Sequence, residues 1–167
     1  MATKKAKKGN TAKTAKTTKR AATKARPKKT SARKAVAGGG ALRDASPSFT
    51  VNDLAKSTAF YRDVLGFEVE ETYSQDGVVR GVAFRSGKVT LMIGQDDWKK
   101  GRDRRKGEGF RMYFETGADV DAFAKGIEAR GGTIEGPPED RPWGYRDFSL
   151  TDPDGFKMTF GVPLRKR

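Results

Sequence analysis

Apolar and polar positions alternate over residues 46–51. Phe49 and Val51 face one way, and Ser48 and Thr50 face the other, so this stretch predicts a strand. Asn52-Asp53 supplies N-cap chemistry, and Leu54, Thr58, Tyr61 and Leu65 follow at helical spacing up to Gly66, a C-cap residue. Extended segments are predicted at 67–73, 78–85 and 89–93, separated by Gln75-Asp76-Gly77 and Ser86-Gly87.

The pattern then repeats. Residues 110–115 read as a strand, and Asp119 caps a second helix whose apolar face is Val120, Phe123, Ala124 and Ile127, ended by Gly131-Gly132. Further strands are predicted at 133–135, 145–150 and 156–160, with Asp152-Pro153-Asp154-Gly155 as the last hairpin turn. The capping Asp and the closing Gly are thirteen residues apart in both halves, Asp53 to Gly66 and Asp119 to Gly132. An α+β domain of two tandem βαβββ modules, at about 46–97 and 107–164, is the economical reading.

Charge divides the chain. Residues 1–45 carry fifteen Lys or Arg and one acid, Asp44, whereas 46–167 hold twenty basic and twenty acidic side chains. The chain is therefore read as a basic N-terminal tail with a Gly linker (1–45) and a neutral domain (46–167). Its net +14 describes neither part well. Residues 1–40 are built from Lys, Arg, Ala, Thr and Gly without an aromatic. Too little apolar surface is present to offset an ordering cost of about 1–2 kcal/mol per residue, which predicts disorder in isolation. Gly38-Gly39-Gly40 reads as a flexible joint.

The tail composition resembles the Lys/Ala-rich tails of linker histones and histone-like bacterial proteins. The resemblance implies nonspecific association with nucleic acid by counterion release, through Lys4, Lys5, Lys7, Lys8, Lys13, Lys16, Lys19, Arg20, Lys24, Arg26, Lys28 and Lys29. A solubilising role, or targeting to an anionic surface, is the alternative. No apolar signal core occurs in 1–40 and no segment suits a membrane span, so the expected location is cytoplasmic, and nucleoid-associated if the tail binds DNA.

In the domain, Val51-Asn52-Asp53-Leu54 leads to Phe60-Tyr61-Arg62-Asp63-Val64-Leu65-Gly66-Phe67. Later, Pro142-Trp143-Gly144-Tyr145-Arg146-Asp147-Phe148 runs into Asp152-Pro153-Asp154-Gly155. With these residues, nearly all of 46–162 resembles the vicinal oxygen chelate superfamily of glyoxalase I, ring-cleaving dioxygenases and bleomycin-resistance proteins. The second stretch is most similar to the bleomycin-binding branch. The resemblance implies a curved mixed sheet around a groove, and pairing of two chains as a homodimer.

It also locates the family's metal ligands, at Ser46, Leu91, Phe110 and Thr159. Two of these cannot ligate, neutral hydroxyls are poor ligands for divalent cations, and Glu108 near Phe110 would stand alone. The chain contains no His and no Cys at all, which also removes Ser-His-Asp and Cys-His catalysis. The expectation is a domain with no metal and no cofactor, in which catalysis is doubtful and no catalytic residue is assigned.

If the family's inward faces carry over, Ser46, Ser48, Thr50, Val89, Leu91, Phe110, Met112, Phe114 and Thr159 line the groove. Phe49, Val51, Met92, Met158 and Phe160 then face the helices. That mainly apolar lining suits a flat organic ligand, with Ser48, Trp98, Phe110, Met112, Trp143, Arg146 and Thr159 as candidate contacts. Phe110 and Met112 have a plainer reading as core, Trp143 as a packing anchor, and Arg146 as an ion-pair partner of Asp147, Glu139 or Asp140. The basic run Lys99-Lys100-Gly101-Arg102-Asp103-Arg104-Arg105-Lys106 joins the halves as a solvated connector or as a second anion contact. The functional expectation is metal-independent binding of a small organic ligand, with a nucleic-acid-binding tail. The alternatives are a superfamily enzyme with an unusual site, such as a lyase or dioxygenase-like enzyme, and a DNA-associated accessory protein.

Overall fold

A computed structural model describes residues 44–164. The tail positions assigned to nucleic-acid contact, and the expected disorder of the tail, lie outside the described residues. Two βαβββ modules follow one another. The first comprises β1 (Ser48–Val51), α1 (Leu54–Ala59), β2 (Glu68–Gln75), β3 (Val78–Ser86) and β4 (Val89–Gln95). The second comprises β5 (Arg111–Glu115), α2 (Val120–Ala129), β6 (Glu139–Arg141), β7 (Tyr145–Thr151) and β8 (Lys157–Pro163).

Each module closes its own four-stranded sheet, in the orders β1-β4-β3-β2 and β5-β8-β7-β6. In each, the first strand pairs in parallel with the last, because the chain must cross over through a helix before returning. The remaining pairs are antiparallel and joined by short connections.

Local chemistry explains the element ends. The Asp53 carboxylate accepts from the Lys56 N–H at 2.9 Å, and the Asp119 carboxylate accepts from Asp121 and Ala122, so both helices start at a capping Asp. After α1 the chain widens into a π-helical turn over Phe60–Val64, with the Leu65 N–H reaching the Phe60 carbonyl at 3.0 Å. This turn buries Tyr61 completely and brings its hydroxyl 2.9 Å from Asp152 Oδ2 in the second module.

One predicted strand is displaced. Residues 133–135 contribute only an isolated bridge from Ile134 to Leu150, and regular pairing resumes at Glu139. Gly136-Pro137-Pro138 intervenes, and proline has no N–H to give to a ladder.

A single hydrophobic core runs through both modules. Phe49 lies 4.3 Å from Phe156 between ring centroids, Phe67 meets Phe114 edge-on at 6.0 Å, and Phe114 stacks on Phe160 at 4.9 Å. The helix-bearing faces of the two sheets therefore share one interior, and the opposite faces point away from it. Phe49, Val51, Met158 and Phe160 lie on the helix side as expected, and Ser48, Thr50 and Thr159 on the other.

The expected phase of β4 and β5 is corrected by one residue. Leu91, Met112 and Phe114 are buried in the core and Val89 packs against it, whereas Met92 sits opposite Ser48 on the outer face. The buried face of a half-exposed strand takes the bulky apolar residues, and a one-residue slip turns every side chain over. In β5 the alternation is unambiguous: Met112 and Phe114 go inward, and Arg111, Tyr113 and Glu115 go outward.

Candidate functional site

The outer face of the second sheet gathers polar and aromatic side chains from three strands. Register places Tyr113 opposite Thr159, and Thr159 opposite Ser149. Arg111 Nη1 donates to Thr159 Oγ1 at 2.6 Å and to Ser149 Oγ at 3.1 Å, and the two hydroxyls are 2.9 Å apart. Thr159 is 5% exposed, so it is a fixed support for the guanidinium. Neither partner carries charge, and among the described residues Arg111 has no ion pair.

Arg141 is held differently. Its Nε lies 2.7 Å from Asp147 Oδ1 and its Nη1 lies 3.0 Å from Glu139 Oε2, and the Asp147 pairing raises its pKa further. The tight turn after β6 then presents Trp143, 66% exposed, with the Arg141 guanidinium 6.0 Å from its ring centroid. Gly144, at φ +87°, allows that turn. Tyr113 leans over Gly161, where any side chain would collide with its hydroxyl. Desolvation, with the nearby Asp147 charge added, pushes the Tyr113 phenol up, so it remains a neutral donor. Arg111, Tyr113, Arg141, Trp143, Asp147, Ser149 and Thr159 together line a cavity of about 370 Å³.

Two of the sequence-predicted contacts, Trp143 and Thr159, meet in this cavity. Ser48 is on the outer face of the other sheet, opposite Met92. Met112 is 5% exposed within the core, since the strand phase turns it inward. Phe110 is 42% exposed and packs beside Phe49 and Phe156 at the junction of the modules. Arg146 is on the helix-bearing side of β7, where its guanidinium makes two 2.8 Å bonds to Asp121 and a third to Asp140. Those pairs raise its pKa and account for its charge.

Trp98 belongs to the connector. It adopts φ 59°, and Arg102 and Lys106 stack over its ring at 4.5 and 5.5 Å. Asp96 receives both Lys106, at 2.6 Å, and Arg104, and Lys106 also reaches the Thr50 carbonyl. The connector is thereby tied to β1 by buried charge.

Arg111, Tyr113, Ser149 and Arg141 escaped the sequence reading. For Arg111 and Tyr113 the signal is the alternation Arg111-Met112-Tyr113-Phe114-Glu115, whose polar members share a face once Met112 and Phe114 are assigned to the core; Ser149 and Arg141 are placed by the pairing of β7 with β8 and β6.

The four positions of the family's metal do not fit a divalent cation. Leu91 is inside the core, Phe110 is hydrocarbon, Ser46 bonds the Thr90 hydroxyl, and Thr159 already accepts from a guanidinium that would repel a cation. Among the described residues no three His, Cys, Asp or Glu side chains gather as a metal cage.

Paired four-stranded sheets with a helix apiece and a shared core define a two-module α+β scaffold. Residues 45–160 match the family model described as Glyoxalase/Bleomycin resistance protein/Dioxygenase superfamily, and the chain belongs to that superfamily. Among solved structures it is similar to a protein of unknown function from Agrobacterium tumefaciens str. C58. The two are 31% identical, with a TM-score of 0.59 over 74% of this chain and 95% of that one. TioX from Micromonospora sp. ML1 shares the fold at 20% identity and a TM-score of 0.59, over 72% of this chain and 100% of that one. A lactoylglutathione lyase from Agrobacterium tumefaciens does so at 22% identity and a TM-score of 0.54, over 72% and 92%. No curated protein matches. No helix among the described residues is long and apolar enough to cross a membrane.

Proposed function

We propose that this chain binds a small, flat organic ligand on the outer face of its second sheet, without a metal ion and without turnover. The observation that carries this reading is Trp143, 66% exposed above the fixed Arg111–Ser149–Thr159 cluster. An indole exposed beside organised donors offers a flat face on which a planar ligand can stack. Of the described residues lining the cavity, Asp147 is the single carboxylate, and it is engaged by Arg141 rather than free to move a proton. Thr159 serves as part of the floor and Trp143 as the stacking wall. Ser48, on the exposed face of the first sheet, belongs to this reading through a homodimer in which a second copy brings one sheet's outer face over the other's.

The cationic segment 1–40 supplies a second, independent property, nonspecific association with nucleic acid. Its support is the segregation of fifteen basic residues against one acid in 1–45. Such a protein would act in the cytoplasm beside the nucleoid.

The test is a fluorescence titration of the full chain in chelator with flat aromatic compounds of cationic, neutral and anionic type, a bleomycin-class drug among them. Saturable quenching that disappears in Trp143→Phe supports the reading. Quenching that requires added divalent metal overturns metal independence, and quenching unchanged by Trp143→Phe overturns the site.

A further inference from the structure

We infer that the cavity on the second sheet selects an anionic aromatic ligand, a flat ring system bearing a carboxylate, sulfonate or phosphate. This inference rests on the ligand-binding reading above and adds the chemistry of the ligand. The argument is a count of hydrogen-bonding groups and charge. Asp147 is already committed to Arg141, and the Ser149 and Thr159 hydroxyls both accept from Arg111. Of the carboxylate, Ser and Thr side-chain acceptors lining the cavity, Asp147 Oδ2 is thus the one that receives no hydrogen bond among the described residues, and it sits on a carboxylate already paired with Arg141.

The donors remain open. Arg111 uses one nitrogen, Nη1, for both hydroxyls, leaving Nη2 and Nε without a side-chain or backbone acceptor among the described residues. The Tyr113 hydroxyl likewise has no acceptor among them, and Gly161 leaves room for it over the strand. Of the charged side chains that line the cavity, Arg141 is paired with Asp147, which leaves the Arg111 cation over; Glu139, the second carboxylate on Arg141, lies outside the lining. A guanidinium fixed through one nitrogen by neutral hydroxyls, with its other donors open, matches the planar two-oxygen face of a carboxylate or the oxygens of a sulfonate or phosphate.

The ring follows from the neighbouring wall. Trp143 and Tyr113, 66% and 48% exposed, line the same cavity as Arg111. A volume of about 370 Å³ accepts one or two fused rings but not a large drug. An anionic head on Arg111 and Tyr113, with a ring against Trp143, uses the open donors and the exposed indole face. A cationic ligand would meet Arg111 as a repulsion.

The probes are 2-naphthoate and its neutral isostere 2-naphthamide, titrated into the full chain in chelator and read by Trp143 fluorescence. A Trp98→Phe background removes the connector tryptophan, which lies outside the cavity. Two charge-assisted hydrogen bonds predict that naphthoate binds about 10- to 100-fold more tightly than the amide. Added salt should weaken naphthoate alone, a readout that needs no further variant. Arg111→Met should erase the difference between the probes, and Arg111→Lys should restore part of it. If naphthoate and naphthamide bind alike to the parent chain, anion selection is overturned and the small-ligand reading stands. If the preference survives Arg111→Met, the anion docks elsewhere, the cationic tail included, and the inference falls. If neither probe quenches Trp143, both readings fall.

Discussion

Lys106 Nζ lies 2.6 Å from Asp96 Oδ2, with the two side chains 3% and 6% exposed, and the pair ties the inter-module connector to the end of β4. Lys106 also donates to the Thr50 carbonyl on β1, so the buried ammonium is satisfied from two directions. Lys106, then the Trp98 backbone N–H, hold the Asp96 carboxyl well below the usual carboxylate range. A depressed carboxylate stabilises the folded chain above its unfolded pKa, and that contribution is lost as pH falls toward the folded value. Thermal unfolding followed from pH 6 to pH 2 should show the parent chain more stable than Asp96→Asn at the upper end, with the gap closing below about pH 4. A constant gap across that range would show that the pair contributes no protonation-linked stability.

Tyr61 and Asp152 supply the opposite pH signature. Their 2.9 Å bond is buried between modules, and desolvation raises the Asp152 carboxyl despite the bonds it accepts. The folded chain then holds a proton that the unfolded chain has released, so this group makes stability fall as pH rises through its range. Tyr61→Phe removes a bond that favours the ionised carboxylate, leaves an acceptor unpaired, and should cost about 1–3 kcal/mol in urea unfolding at neutral pH. The decline across the carboxylate range should also steepen.

Gly107 and Gly109 form a matched pair. Both have positive φ, +70° and +72°, but a Cβ on Gly107 would collide with the Gly155 carbonyl, whereas one on Gly109 would meet open space. Gly109→Ala should therefore cost only the left-handed backbone penalty of about 1–2 kcal/mol. Gly107→Ala should cost clearly more, because the connector must shift off the β7–β8 turn. Equal unfolding midpoints for the two variants would contradict the close approach.

Met112→Ala separates core from cavity. Met112 is 5% exposed beneath β5, so truncation should destabilise by about 2–5 kcal/mol. Once the folded fraction is accounted for, the affinity for a flat aromatic probe should not change. A specific loss of affinity without loss of stability would put Met112 back in the ligand site.

Much of the architecture was legible because it is local. Asp53 and Asp119 cap helices through their own side chains, and Gly66 and Gly131 take positive φ where the helical pattern stops. Val51, Leu54 and Ile127 could be assigned to the core from periodicity. The strand expected at 133–135 is reduced to the single Ile134–Leu150 bridge, and regular pairing begins only after Pro137-Pro138, which have no N–H to give to a ladder. The site is less legible. Of the positions the family motif suggests, Trp143 and Thr159 line one cavity, whereas Met112 lies inside the core and Arg146 is paired with Asp121 and Asp140.

The sequence by itself determined two modules, their caps and turns, the neutral domain behind a basic segment, and the lack of any imidazole or thiol. These follow from interactions within a few residues or from composition, so no knowledge of distant neighbours is needed. Tertiary structure decided which residues share the cavity. Arg111 is 38 residues from Ser149 and 48 from Thr159, and parallel pairing of β5 with β8 together with antiparallel pairing of β8 with β7 brings them together. It also decided which charges remain available. Arg146 and Arg111 look alike in the chain, yet packing gives one three bonds to carboxylates and the other a pair of hydroxyls. Pairing across a sheet depends on register and crossover, which are properties of the folded chain as a whole, and a single strand's alternation cannot reveal them.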